Sequence, residues 1–429
     1  MGPGRRVAVL ALVGLATLAV VNVAGPQDWT RIELTRSIAL HGSLQVPSSL
    51  PVDKAVYNGR TYADKAPGMS LLALPAFELE RAVGVAKPRS QWSREGDLSV
   101  WGLRLGAGGL LFLLTVWLVM GEAGTAAGAT FGAGTIAAPL AATMFGHLAA
   151  GGLGLGAFLL ARRPTRRRAV LAGLLAGCAV LVEYPAALIA IAVGVVVLVR
   201  SPRRVPWYLL GGMPALAGLL AYNAAAFGSP FHLSYRYEAA PFSEQQRHGF
   251  FGIGAPTLHG LAKELVVDRG LLVFSPVLLL AAVGLWLMWR DGERLTAGIA
   301  AAITAAFVVS DAAYFLPYGG NSPGPRFFVP ALPFLALGLG PAFRRWPRTT
   351  TAAAAVSVFL TTADLMTWAL RTDTDTWYPG RGESDLAKTV WVWLGLSWTE
   401  GGAIVLLCAL AALAVGTWPL VRPRQRPAA

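Results

Sequence analysis

The chain has 429 residues, 55% of them hydrophobic and only 14% charged, with a mean hydropathy of +0.54 and a net charge of +13. A soluble domain carries about 25% charged residues, so the composition excludes an ordinary soluble globule and predicts an all-α polytopic membrane protein. The positive charge does not call for nucleic acid, because arginines gathered on cytoplasmic loops supply it, and Cys178 and Cys408 lie inside apolar runs, which excludes a disulfide framework or a cysteine metal site.

Apolar stretches suited to crossing a bilayer fall at about 7–25, 100–121, 125–141, 147–162, 168–182, 184–200, 206–227, 271–289, 294–315, 326–343, 349–370 and 402–421. About twelve transmembrane helices are therefore expected, several kinked at breaks such as "MFGH" and "VEYP". The abundant Gly and Pro favour close helix packing and broken helices over the alternation of a β-barrel. The first stretch also admits a reading as a cleaved signal peptide, although its apolar region runs long for one. The basic segments "GRR", "RRPTRRR" (162–168), "RSPRR" (200–204), "FRRWPR" (343–348) and "RPRQR" (422–426) all fall on one side of a twelve-span map. The positive-inside rule makes that side cytoplasmic, with both termini.

The long polar segments 26–99, 228–270, 316–325 and 371–401 then lie on the non-cytoplasmic side of one membrane domain spanning 1–429, with no large soluble C-terminal domain expected. In the first loop, residues 28–41 place Trp29, Ile32, Ile38 and Leu40 at near-helical spacing. Residues 68–86 are apolar but carry Pro75, Glu78, Glu80 and Arg81, and counting them as a span would invert every later loop. They read as an interfacial helix, entered through a turn at "GRTYADKAPG" (59–68). The aromatics of "TWYPG" and "TVWVWLGLSW" read as an interfacial belt.

Ionisable residues collect at this outer end: Asp28, Arg31, Asp64, Lys65, Glu183, Asp268, Arg269, Asp311, Arg326 and Asp364. Charges at membrane depth are costly and face a cavity or a partner. An outward cavity is expected, with Arg31, Tyr62, Glu183, His147 and Asp311 in its wall and Lys65, Arg269 and Arg326 available to an anion. Such a cavity suits a lipid phosphate: cations bind it by charge-assisted hydrogen bonds, the glycine-rich "GGNSPGPR" lets backbone approach, and a carboxylate can take a proton from an acceptor hydroxyl. Each residue also has a plainer role. Asp28 suits a helix cap, Asp64 and Lys65 an interfacial pair, Arg269 and Arg326 headgroup anchors, and Glu183 a hydrogen-bonded structural acid. His147, His232, His248 and His259 show no metal-ligand spacing and otherwise read as structural; the outer-face carboxylates could hold a divalent metal but form no clear ligand set, so no metal or other cofactor is expected.

The order of parts resembles the GT-C glycosyltransferases, such as the aminoarabinose transferases and protein mannosyltransferases. The matching features are a first span, Asp28 soon after it, "DKAPG" at 64–68, and Arg104 opening "LRLGAGGLLFLLTVWLV"; "GGNSPGPR" and "DRGLLVFSP" resemble stretches of family-39-like transferases. The motifs are short and cover the first 120 residues, the rest matching by layout. The resemblance implies an inverting sugar transferase of a bacterial plasma (inner) membrane. Its donor would be a polyprenyl-phosphate sugar and its acceptor a cell-envelope glycan, lipid or protein, with Asp28 as general base and Lys65 on the lipid phosphate. Two departures matter: a single acid in "DW" where a pair is usual, and Lys-Ala-Pro in place of Lys-Pro-Pro. The first leaves Asp28 and Asp64 both open as the base. A transporter or lipid flippase and a non-catalytic scaffold are the competing classes. Against the transporter, the embedded acids sit outward rather than at the midplane and no internal repeat is visible.

Overall fold

A computed structural model describes residues 3–22, 24–93, 96–141, 143–316, 318–320, 322–367 and 386–421. The "TWYPG" aromatics and much of the 371–401 segment lie outside the described residues.

Helix α1 (Pro3–Thr17) leads to a two-residue strand β1 (Val20–Val21), then α2 (Pro26–His41). Gly25 caps α2, Pro26 occupies its first turn, and Gly42 closes it with φ 60°. Proline at the start and a left-handed glycine at the end are what such a helix prefers. Strands β2 (Lys54–Tyr57) and β3 (Arg60–Ala63) pair antiparallel around Asn58-Gly59, whose φ values of 49° and 75° suit a tight hairpin turn. The expected simple turn at "GRTYADKAPG" is thus half of a hairpin. From there Pro67 caps α3 (Gly68–Ala82). Gly68 is required by proximity: a Cβ there would come within 2.5 Å of the Leu181 carbonyl oxygen. Helix α3 buries Met69, Ala73 and Phe77 and exposes Leu71, Leu72, Leu79 and Val83, a one-sided apolar display suited to lying along a bilayer surface.

The membrane part begins with α4 (Leu98–Arg104), which runs through a wide turn at Leu105–Gly109 into α5 (Leu110–Ala123). The stretch at 125–141 divides into α6 (Thr125–Ala133) and α7 (Ala137–Ala141). Then follow α8 (Gly146–Ala161), α9 (Arg166–Val182), α10 (Ala187–Arg200) and α11 (Val205–Phe227). A long connection carries α12 (Leu258–Leu265) and α13 (Leu271–Phe274). Next come α14 (Val277–Arg290), α15 (Arg294–Ala312), α16 (Leu332–Leu335), α17 (Leu339–Arg345) and α18 (Pro347–Met366). Strand β4 (Lys388–Thr389) precedes the last helix, α19 (Trp398–Val421).

Among the described residues, six helices are long and apolar enough to cross a membrane: Leu98–Ala123, Pro202–Phe227, Arg294–Ala312, Arg326–Arg345, Pro347–Met366 and Trp398–Val421. The helices at Gly146–Ala161, Tyr184–Arg200 and Val277–Arg290 are apolar but shorter. The chain is a multi-pass membrane protein, with six spans supported by length and composition among the described residues.

One large core runs through the bundle, joining Phe112, Phe131, Phe158, Phe328, Phe334 and Phe343. Helix α1 is built into it, with Val9 and Val13 fully buried and α19 and α6 as neighbours. Strand β1 pairs with β4, Val20 opposite Thr389, so the first and last helices are joined by backbone as well as side chains. Two smaller clusters position the outer elements. One seats α3 against Ile32, Val100, Leu103 and Ala107. The other seats the β2–β3 hairpin on Leu34, Tyr222 and Phe227.

Candidate functional site

A cavity of about 750 Å³ opens where these outer elements meet the bundle. Its polar wall comes from Gln27 in the first turn of α2, Asp53 and Lys65 flanking the hairpin, His147 at the start of α8, and Glu183 between α9 and α10. Tyr235, Glu238 and Gln246 from the 228–270 connection, Asp311 and Tyr314 at the end of α15, and Arg326 complete it. The apolar wall includes Leu188, Leu219, Phe250, Phe251, Phe307 and Phe315. The cavity surface is mostly apolar, with a minority of polar and charged groups set into it.

Lys65 is the most heavily engaged cation. Its ammonium donates to Asp64, lies 3.4 Å from Asp53, and sits 5.6 Å from the centre of the Tyr235 ring. Burial disfavours that charge, but Asp64, Asp53 and Glu238 outweigh it and hold Lys65 well above the usual lysine value. Burial also raises Asp64, against the pull of Lys65. Asp64 is fully buried and stands behind Lys65, outside the cavity wall, with its Oδ1 lacking a protein partner.

Glu238 is held from the opposite side. Its backbone bridges Ala55 of β2, and the Ala239 N–H donates to the Lys54 carbonyl at 2.9 Å. The connection is thereby stitched to the hairpin that carries Asp53. Burial, partly countered by Lys65, pushes the Glu238 carboxyl up to about 7, and its Oε2 has no protein partner.

Arg326 enters between two phenyl rings, 5.0 Å from the centre of Phe145 and 5.2 Å from that of Phe327. Gly319, at φ 73°, makes room for it: a Cβ there would lie 2.5 Å from the Arg326 Nε. Arg269 lies outside the cavity wall. Its guanidinium donates to the Ser322 carbonyl at 3.0 Å and braces the segment leading to Arg326.

Arg31, also outside the wall, links two residues within it. It donates to Gln27 Oε1 at 2.6 Å and to Glu183 Oε1 at 2.5 Å, and that Glu183 oxygen lies 3.7 Å from His147 Nδ1. Tyr62 faces away, packed into the apolar cluster beneath the hairpin with Leu34, Val46 and Phe227.

Asp28 differs most from its sequence expectation. It is 0% exposed and does not border the cavity. Its Oδ1 accepts from the Met144 N–H at 2.6 Å and from Arg104 Nε at 3.3 Å, and its Oδ2 accepts from the Gly25 N–H at 2.8 Å and from Arg104 at 2.9 Å. With both oxygens engaged, this carboxylate ties α2 to α4 and to the backbone before α8, and it stands away from the cavity wall.

Of the expected residues, Lys65, Arg326, Glu183, His147 and Asp311 share the cavity, while Asp28, Asp64, Arg31, Tyr62 and Arg269 stand around it. Gln27, Asp53, Tyr235, Glu238 and Tyr314 were not singled out from the sequence. A usable signal was "YRYE" at 235–238, where aromatics and an acid stand together in an outer loop. Among the described residues, no group of three or more His, Cys, Asp or Glu side chains is placed to hold a metal ion.

No protein-family model matches the chain, and no curated protein matches it significantly. Solved structures do. ArnT from Cupriavidus metallidurans bound to undecaprenyl phosphate is similar with a TM-score of 0.55 at 17% identity, over 96% of this chain and 76% of that one. The apo state of the same protein gives 0.55 at 18% identity, over 96% and 75%. An oligosaccharyltransferase from Archaeoglobus fulgidus reaches 0.45 at 14% identity, over 96% and 54%. The fold is GT-C-like. In particular, it is similar to the fold of ArnT, an aminoarabinose transferase.

Proposed function

We propose that this chain is a membrane glycosyltransferase of the GT-C type, moving a sugar from a polyprenyl-phosphate donor to an acceptor at the non-cytoplasmic face of the cell membrane. The observation that carries the reading is the union, in one cavity, of two cations, Lys65 and Arg326, with a continuous apolar wall. A prenyl chain needs the apolar wall, and its phosphate needs the cations. ArnT, whose fold this chain shares, binds undecaprenyl phosphate.

In this reading Lys65 and Arg326 hold the donor phosphate, and Asp53 and Asp64 fix the Lys65 ammonium in place. Glu238 takes the proton of the acceptor hydroxyl. The acceptor oxygen bonds to the anomeric carbon as the bond from that carbon to the phosphate oxygen breaks. The electron pair leaves with polyprenyl phosphate, and the cations stabilise its growing charge. Inversion follows from a single displacement. Asp28 contributes by holding α2 in position rather than by touching substrate.

The test is release of free polyprenyl phosphate from a panel of labelled polyprenyl-phosphate sugars, by purified wild type and Lys65→Ala. Turnover is expected from wild type with at least one sugar, reduced about 10²–10³-fold in the variant, the usual cost of removing a preorganised transition-state contact. Folded wild type that turns over no donor, or a variant as active as wild type, overturns the reading.

A further inference from the structure

We propose that Gln27 and His147 form the glycosyl subsite of this cavity, recognising the hydroxyl groups of the sugar attached to the phosphate. The inference rests on the transferase reading above and extends it to residues that bind neither the phosphate nor the lipid.

The two side chains arrive from separate places, the first turn of α2 and the first turn of α8, and both line the cavity while 2% and 3% exposed. A relay of charged groups sets their orientation. Arg31 donates to Gln27 Oε1, which turns the amide so that its Nε2 is the free end, and Nε2 has no protein partner. Arg31 also fixes Glu183, whose carboxylate lies 3.7 Å from His147 Nδ1. That separation is too long for a hydrogen bond, and neither ring nitrogen of His147 has a protein partner. A buried polar group without a partner costs about 1–3 kcal/mol. Three such atoms belong to two residues that line one cavity, and that unmet hydrogen-bonding capacity favours a polar ligand beside them.

The type of ligand follows from the groups. An amide N–H donates, and an uncharged imidazole offers one donor and one acceptor. Sugar hydroxyls, which donate and accept, complement that set; a phosphate is better served by the neighbouring cations. The geometry also fixes adjacency. His147 packs against the same two rings that hold Arg326, with ring-centre separations of 6.2 Å to Phe145 and 5.4 Å to Phe327. A sugar joined to a phosphate on Arg326 reaches His147 without leaving the cavity, and the phenyl faces suit its C–H surface.

The experiment compares binding of bare polyprenyl phosphate with that of polyprenyl-phosphate monosaccharides, using full-length protein in lipid nanodiscs. Wild type is set beside Gln27→Leu, Gln27→Glu, His147→Phe and His147→Asn. Wild type is expected to prefer at least one glycosylated lipid over the bare one. Gln27→Leu and His147→Phe should each lose about tenfold of that preference, the scale of one or two hydrogen bonds, while holding bare lipid as wild type does. Retained preference in both variants overturns the proposal, as does an equal loss for both lipids, which marks a folding role. Wild type that binds bare lipid but no sugar more tightly overturns the subsite alone. Wild type that binds neither lipid overturns the transferase reading and the subsite with it.

Discussion

Asp28–Arg104 and Asp64–Lys65 are both buried acid–base pairs, and both acids come from the segment between α1 and α4, yet their surroundings are opposite. Around Asp28, both carboxylate oxygens are taken, by Arg104 and by the backbone N–H groups of Gly25 and Met144. Around Lys65, the cavity-lining Glu238 has an oxygen, Oε2, without a protein partner, and behind the wall so does Asp64, at Oδ1. Completed hydrogen bonding marks a joint in the scaffold; incomplete hydrogen bonding facing a cavity marks a place kept for a ligand. By residue type and chain position alone the two acids look alike.

The contrast is broken most severely at Arg104. Arg104→Ala leaves the Asp28 carboxylate buried without its cation and is expected to cost about 3–5 kcal/mol of stability, whereas replacing both partners by apolar side chains recovers much of it. Denaturant unfolding in detergent measures this. Turnover per folded molecule should be unchanged, and a selective loss of turnover would return Asp28 to the chemistry.

Next in size is Glu238→Gln, expected to lower turnover about 10²-fold as a lost general base. The pH profile sharpens the assignment. Because burial lifts Glu238 to about 7, the ionised base is present above that pH and is lost as pH falls through it. Wild-type turnover should therefore rise across pH 7, and the variant should lack that step. A wild-type profile flat across that region would remove Glu238 from the role.

The smallest effect is expected at Gly319→Ala. A residue with a Cβ at φ 73°, with that Cβ pressed on Arg326, costs about 1 kcal/mol or more in backbone strain. It also displaces the guanidinium. About fivefold weaker donor affinity, read as a rise in KM at steady kcat, is the expected outcome; an unchanged KM would detach Arg326 from donor binding.

The membrane helices were legible because lipid demands long apolar segments, and the stretches around Leu98–Ala123 and Trp398–Val421 satisfy that demand openly. The β2–β3 hairpin falls in a stretch that reads as a plain turn, although Asn58-Gly59 is a strong hairpin signal; four-residue strands are faint beside long apolar helices. At the site, sequence could place residues at one end of the bundle but could not say which way they pointed. Gln27 and Asp28 show this most clearly. They are neighbours, but one step along a helix turns the side chain by about 100°, and only Gln27 borders the cavity. Glu238 was hidden differently: its position depends on backbone pairing with Ala55, nearly two hundred residues earlier, and no local pattern encodes that contact.

The pairing of β1 with β4, and of α1 with α19, has a consequence for how the molecule is made. Helix α1 leaves the ribosome well before its lasting neighbour α19, which follows roughly 20–80 s later at ordinary synthesis rates. Val13 packs beside Gly132 of the early-made α6, but through that interval the side of α1 that faces α19 has only lipid or provisional neighbours to cover it. A chain halted before Lys388 therefore lacks both the strand that pairs with β1 and the helix that packs most extensively on α1.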